Sequence, residues 1–187
     1  LRPVHCGRFT TAGQDQGSSF QLPVVYVRAG RWKVSDHPVL YISGGPGGAT
    51  MLDADFMPGW LSWLDQVGWD TDVVFYDQRG VGLGEPRWDC PELLEARRTL
   101  LSQHLDAAQV GSRLRRVGED CKRRLEALGA DFRVFSTLTN ASDAADLMRL
   151  VNPSVRWDLY GISYGTRVAL ELVRRLPERF RAVVLDS

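Results

Sequence analysis

With 187 residues, 44% of them hydrophobic, the chain is long enough for one domain with a substantial core. Its 23 basic and 23 acidic residues cancel to a formal charge of zero, which argues against nucleic acid or an anionic membrane surface as a partner. No window approaches the roughly 20 consecutive apolar residues of a membrane-spanning helix, so no membrane span is expected.

Five short runs rich in β-branched and aromatic residues have strand length: PVVYVRAG at 23–30, PVLYISG at 38–44, DVVFYDQ at 72–78, WDLYGIS at 157–163 and AVVLDS at 182–187. The last four are nearly continuous apolar runs, as in strands covered by helices on both faces. The first carries Arg28 and is expected at an edge. Residues 88–129 form a charge-laden helical stretch whose Arg113, Arg115, Arg116, Lys122, Arg123 and Arg124 alternate with acids, the pattern of a solvated face. A helix is predicted over 140–151 behind the capping candidates Thr139 and Asn140, with Ala144, Leu147, Met148 and Val151 on its packed stripe. Another is predicted from Tyr164 to about Leu176, ended by Pro177. Strands alternating with helices specify a three-layer α/β domain with a mostly parallel sheet and right-handed crossovers. One domain over 1–187 is expected, with a helical insertion at about 88–129.

The cysteines Cys6, Cys90 and Cys121 have no metal-ligand spacing, and the three histidines are scattered, so no metal site and no cofactor is expected. Cys90 and Cys121 bracket the helical insertion. A bridge between them would close a loop of about 30 residues, stabilise by roughly 3 kcal/mol and favour an oxidising compartment. Buried thiols are the alternative.

Gly161-Ile162-Ser163-Tyr164-Gly165 matches G-x-S-x-G, in which flanking glycines let a strand turn sharply into a helix with the serine in a strained, exposed conformation. The motif alone is weak, but WDLY before it and the helical stripe after it supply the context it requires. Ser163 is then the candidate nucleophile. The helix N-terminus presents unpaired amides and a partial positive charge where an oxyanion would develop, so the amide of Tyr164 is a candidate donor. A second donor must come from another loop. SGGPGG at 43–48 follows an apolar strand and, as Pro46 has no N–H, offers Gly44 or Gly45. It lacks the G-K-[ST] ending of a nucleotide-binding loop.

SGGPGG at 43–48, YDQRGVGLGEP at 76–86 and YGISYG at 160–165 together resemble the proline iminopeptidase and tripeptidyl aminopeptidase family of α/β-hydrolases. The resemblance runs through almost the whole chain, which looks like the N-terminal part of that fold. It implies an aminopeptidase that acts through an acyl-enzyme, with Ser163 as nucleophile, an oxyanion hole from Tyr164, Gly44 and Gly45, and Asp77-Gln78-Arg79-Gly80 as a scaffold in which Asp77 and Arg79 pair. It also implies that Cys90 and Cys121 form the disulfide of exported members. Ser43 stands where the common family pattern has histidine, which is closer to the tripeptidyl side than to the cytosolic iminopeptidases.

In this fold the acid and base follow the serine, yet the residues after Ser163 include no histidine, and their carboxylates are Glu171, Glu178 and Asp186. His37 precedes a strand, at the end opposite to where ligands bind. His5 and His104 lie in the N-terminal segment and the insertion. The expectation is that a second polypeptide or a further C-terminal segment carries the lid, the catalytic Asp and the His. The expected partner is a peptide substrate, and the expected location is secreted or periplasmic, otherwise cytoplasmic. Two rivals stand beside the aminopeptidase: an esterase or other acyl hydrolase built on the same elbow, and a non-catalytic α/β binding module.

Overall fold

The computed structural model describes residues 2–11, 19–30 and 33–187. The chain divides into two compact units, Leu1–Arg87 with Phe135–Ser187, and Trp88–Val134.

The first unit is built on a six-stranded sheet. Its strands are β1 (Val4–Thr10), β2 (Gln21–Val27), β3 (Val39–Ile42), β4 (Val73–Tyr76), β5 (Trp157–Ile162) and β6 (Phe180–Asp186), in the spatial order β1-β2-β4-β3-β5-β6. β1 and β2 pair antiparallel, as do β2 and β4, whereas β4, β3, β5 and β6 run parallel. Every residue of β3 and β4 is buried, as their unbroken apolar runs require of central strands covered on both faces. The register Ile42↔Gly161 and Ile162↔Asp186 brings the C-terminal ends of β3, β5 and β6 together at one end of the sheet.

Two expectations about the first strands are corrected. The run at 23–30 is not an edge: β2 lies between β1 and β4. Arg28 falls just past the last residue of β2, where its guanidinium lies 3.5 Å from Asp72 and over the Tyr26 ring, so its charge places no demand on the sheet. β1, absent from the predicted strands, is mostly exposed and carries polar residues. It is held by a full antiparallel ladder with β2 from Val4↔Val27 to Thr10↔Gln21. At the opposite side β6 is the outermost strand of the described sheet, with Val184 and Leu185 exposed.

α1 (Met57–Gln66), also absent from the predicted elements, begins with Pro58 in its first turn, where a missing N–H costs nothing. It buries Leu64 and lays Trp60 and Trp63 against Tyr41, Phe75 and Tyr160. α4 (Thr137–Val151) starts earlier than predicted. Ser136 is its cap: the Thr139 amide donates to Ser136 Oγ at 3.2 Å and the Ser136 amide to Thr139 Oγ1 at 3.0 Å. Asn140, expected as a capping candidate, is thereby inside the helix. Ala144, Leu147 and Met148 are buried as their spacing predicted. α5 (Tyr164–Arg175) packs on β5, β3 and β6 through Val168, Ala169 and Leu172.

The second unit replaces the predicted single stretch by two helices, α2 (Pro91–Leu101) and α3 (Ala107–Ala127). Asp106 starts α3 through a reciprocal pair with Gln109, in which the Gln109 amide donates to the Asp106 carboxylate and the Asp106 amide to Gln109 Oε1. Cys90 and Cys121 form a disulfide with a Cα–Cα distance of 5.8 Å, packed with Leu125, Ala130 and Trp88. Cys6 is free and exposed on β1. Among the described residues no helix is long and apolar enough to cross a membrane.

Candidate active site

The turn from β5 into α5 is held by backbone contacts that leave no room for a side chain on either flanking glycine. A Cβ on Gly161 would stand 2.6 Å from the Gly165 carbonyl oxygen, and one on Gly165 would collide with the Ile42 carbonyl of β3. Between them Ser163 adopts φ 51° and ψ −120°. Apart from Met51 it is the only non-glycine residue at positive φ among those described. A serine in this region costs about 1–3 kcal/mol, which the surrounding contacts must offset. The Ser163 amide donates to the Asp186 carbonyl at 2.6 Å, and the Ser163 carbonyl accepts from the Thr166 amide at 3.0 Å and the Thr166 hydroxyl at 2.7 Å. Ser163 is exposed.

The predicted donors lie around it. Gly44 is so close that a Cβ there would stand 2.8 Å from Ser163 Cβ and 3.4 Å from its Oγ. Gly45 has φ +122°, where a Cβ would meet the amide nitrogens of Gly48 and Gly47 at 2.5 and 2.6 Å. Among the described residues, the amides of Gly44, Gly45 and Tyr164 donate to no other group. Tyr164 opens α5, so its amide has no partner inside the helix.

The loop at 43–48 is closed by its own bonds, the Gly48 amide to the Gly44 carbonyl at 3.3 Å and the Ser43 hydroxyl to the Gly48 carbonyl at 3.2 Å, and is fastened to the rest of the fold by side chains. Gln78 Nε2 donates to the Ser43 carbonyl at 2.9 Å, while Gln78 Oε1 accepts from Asn140 Nδ2 at 2.9 Å. Asn140 also reaches the Tyr164 hydroxyl at 3.4 Å, which lies 3.0 Å from Thr137 Oγ1. One polar chain thus ties the glycine loop, the start of α4 and the residue after Ser163. Asp77 is fully buried and accepts from the Thr50 amide at 2.7 Å and the Leu83 amide at 3.0 Å, which fixes the ends of two loops.

The expected pairing of Asp77 with Arg79 is corrected. Beyond the end of β4 the Asp77 carboxylate is taken by the Thr50 and Leu83 amides, and Arg79 turns to Asp143 of α4. There it makes a buried fork with Asp143, Nε to Oδ2 at 2.5 Å and a terminal nitrogen to Oδ1 at 2.9 Å, and stacks on Phe20. Asp143 and the polar role of Asn140 escaped the sequence reading. An acid and an amide three residues apart on an amphipathic helix, one on its buried stripe, were the available signal.

Asp186, at the end of β6, accepts from the Tyr160 hydroxyl at 2.6 Å, and this bond together with burial pushes the Tyr160 phenol up to about 12. Both residues line a cavity of about 470 Å³ beside α1. His5 stands exposed on β1. His37 precedes β3, at the end of the strand opposite to Ser43, with Nδ1 2.9 Å from the Arg156 carbonyl. His104 belongs to the second unit. Among the described residues no group of three or more His, Cys, Asp or Glu is placed to hold a metal ion.

A parallel sheet whose strand ends converge on a serine at a glycine-flanked strand-to-helix turn defines the α/β-hydrolase class. Residues 37–187 match the alpha/beta hydrolase fold family, and the chain belongs to it. Among solved structures it is similar to a thermophilic esterase from Thermogutta terrifontis, with 17% identity and a TM-score of 0.54 over 96% of this chain and 44% of that one. It is also similar to an alpha/beta hydrolase from Novosphingobium aromaticivorans, with 15% identity and a TM-score of 0.56 over 99% of this chain and 44% of that one. The chain therefore spans under half the length of these structures. No curated protein matches its sequence.

Proposed function

We propose that the chain forms the nucleophile half of a serine hydrolase, an aminopeptidase that releases short units from peptide N-termini. The observation that carries the reading is Ser163: a non-glycine residue at φ 51°, exposed at a strand-to-helix turn and flanked by glycines that cannot be replaced. Its Oγ attacks the scissile carbonyl and forms an acyl-enzyme, and the amides of Tyr164 and of Gly44 or Gly45 receive the oxyanion. Asp77, Gln78 and Arg79 hold the loops from behind and touch no substrate. A base must take the serine proton, and a carboxylate must orient it. His5 stands on β1 and His37 at the end of β3 opposite to Ser43, and the base and the carboxylate are assigned to residues outside these 187, on a further segment or a second polypeptide. The aminopeptidase reading rests on SGGPGG, DQRGVGLGEP and GISYG taken together.

An esterase is the second reading, favoured by the likeness in fold to the Thermogutta enzyme. Kinetics of the complete enzyme on a free-amine amino-acid anilide and on a p-nitrophenyl ester separate the two. Ser163→Ala lowers turnover of either by about 10³-fold or more. Near-normal turnover in that variant refutes the nucleophile, and turnover of esters without anilides refutes the aminopeptidase.

A further inference from the structure

Asn140 is the fourth residue of α4, one past the reciprocal pair of Ser136 and Thr139 that caps the helix. Asparagine favours caps and turns over helix interiors, so nothing in the helix itself calls for it there. Its side chain leaves the helix instead, and its amide nitrogen donates to Gln78 Oε1 at 2.9 Å and to the Tyr164 hydroxyl at 3.4 Å.

The first contact begins a chain with a fixed direction. A backbone carbonyl only accepts, so Gln78 presents its nitrogen to Ser43 and is left with an oxygen that needs a donor, which Asn140 supplies. Gln78 and Ser43 are both buried, so a bond lost between them is not made good by bulk water. The Ser43 carbonyl and the Gly44 amide belong to one planar peptide unit, which is trans. Holding its oxygen aims the Gly44 N–H the opposite way and fixes the point from which the peptide bearing the Gly45 N–H departs. Hydrogen bonds in series also polarise one another, which strengthens the last donor of the chain. The second contact reaches the other wall of the site, Tyr164, whose amide is the other candidate donor and whose hydroxyl lies 3.0 Å from Thr137 Oγ1. One side chain thus braces the glycine loop and the start of α5 at once.

We infer that Asn140 is a positioning residue for the oxyanion hole, setting the glycine loop and Tyr164 against each other around Ser163 without touching substrate. The role rests on the reading of Ser163 as nucleophile and is the same for a peptide or an ester.

The test uses the complete enzyme, p-nitrophenyl acetate and phenylboronic acid, whose boron takes the serine oxygen and becomes a tetrahedral anion while the serine proton passes to the base. Asn140→Leu removes both bonds; Asn140→Asp keeps the shape but sets a carboxylate against Gln78 Oε1. Rates are expressed per serine labelled by a fluorophosphonate, so that a loss of folded enzyme does not enter them. Both variants are expected to lower kcat by about ten- to hundredfold and to weaken phenylboronic acid by the same factor, with KM within about twofold of the parent. Asn140→Leu combined with Gln78→Met is expected to lose less than the product of the two single losses, because Asn140 acts on the loop through Gln78. Unchanged kcat and boronate affinity in both Asn140 variants, or losses that multiply in the double variant, overturn the role. Labelling of Ser163 in the parent enzyme separates the failures: labelling with unaffected Asn140 variants sinks the positioning role alone, and no labelling in an active preparation sinks the nucleophile and the role with it.

Discussion

Replacing Gly44 by alanine perturbs the loop where it meets the serine. The new Cβ would stand 2.8 Å from Ser163 Cβ, 3.0 Å from the Ile162 carbonyl oxygen and 3.4 Å from Ser163 Oγ. The first two neighbours are anchored, one to a backbone strained at φ 51° and the other in β5 itself. Carbon atoms in good contact lie about 3.5–4.0 Å apart, so the loop or the elbow must give by about 0.7 Å. Forced adjustments of this kind cost about 1–3 kcal/mol of stability. Oxyanion donors act only at about 2.7–3.1 Å, and losing one lowers kcat by about 10²–10³-fold. Gly47→Ala in the same loop is the control. It has φ +87° and nothing within 4 Å of the new Cβ, so it carries about 1–2 kcal/mol of backbone strain without a clash. Turnover of an ester substrate and thermal unfolding of the complete enzyme are measured for both. The expected result is a large loss of kcat in Gly44→Ala and a loss mainly of stability in Gly47→Ala. Wild-type kcat in Gly44→Ala, or equal losses in both, would refute the placement of this loop at the reacting carbonyl.

Asp143→Ala leaves the Arg79 guanidinium buried beside a lost partner, side chains that are only 2% and 3% exposed in the native pair, and is expected to cost about 3–5 kcal/mol in urea unfolding. Replacing both residues by apolar ones of similar volume should cost less than either single change; additive losses would count against the pair. Alkylation without reductant is expected to modify Cys6 and spare Cys90 and Cys121, and reduction to lower stability by about 3–4 kcal/mol for a loop of 31 residues. Modification of all three cysteines contradicts the bridge. Tyr160 is expected to ionise at about 12 in ultraviolet titration, above the ordinary phenol value of about 10, because its proton is held by Asp186. The raised value means that this bond stabilises the fold below pH 10 and is lost as pH rises through about 12. Asp186→Asn should lower the midpoint, and an unchanged titration would exclude the bond.

The strands that set the site were legible because each is a short run rich in apolar and aromatic residues. β3, β4 and β5 fall where their runs predict, and α5 starts at Tyr164 as predicted. β1 was hidden because its residues are mostly exposed and it is stabilised by pairing with β2, a non-local interaction that composition does not record. α1 was hidden because its ten residues include a proline, a glycine and two tryptophans, which mask the helical period. Within the site, the glycines and Ser163 were readable as local backbone requirements. The partners that hold them were not: Gln78 to Asn140 and Arg79 to Asp143 span 62 and 64 residues. Pairing Asp77 with Arg79 failed for the same reason: Asp77 is taken by the Thr50 and Leu83 amides and Arg79 by Asp143, 64 residues away.

The most direct test of the central claim is fluorophosphonate labelling of the complete enzyme followed by peptide mass analysis. The account predicts a single phosphonylated residue, Ser163, and loss of labelling in Ser163→Ala. Labelling at another serine, or none in an active preparation, would contradict it.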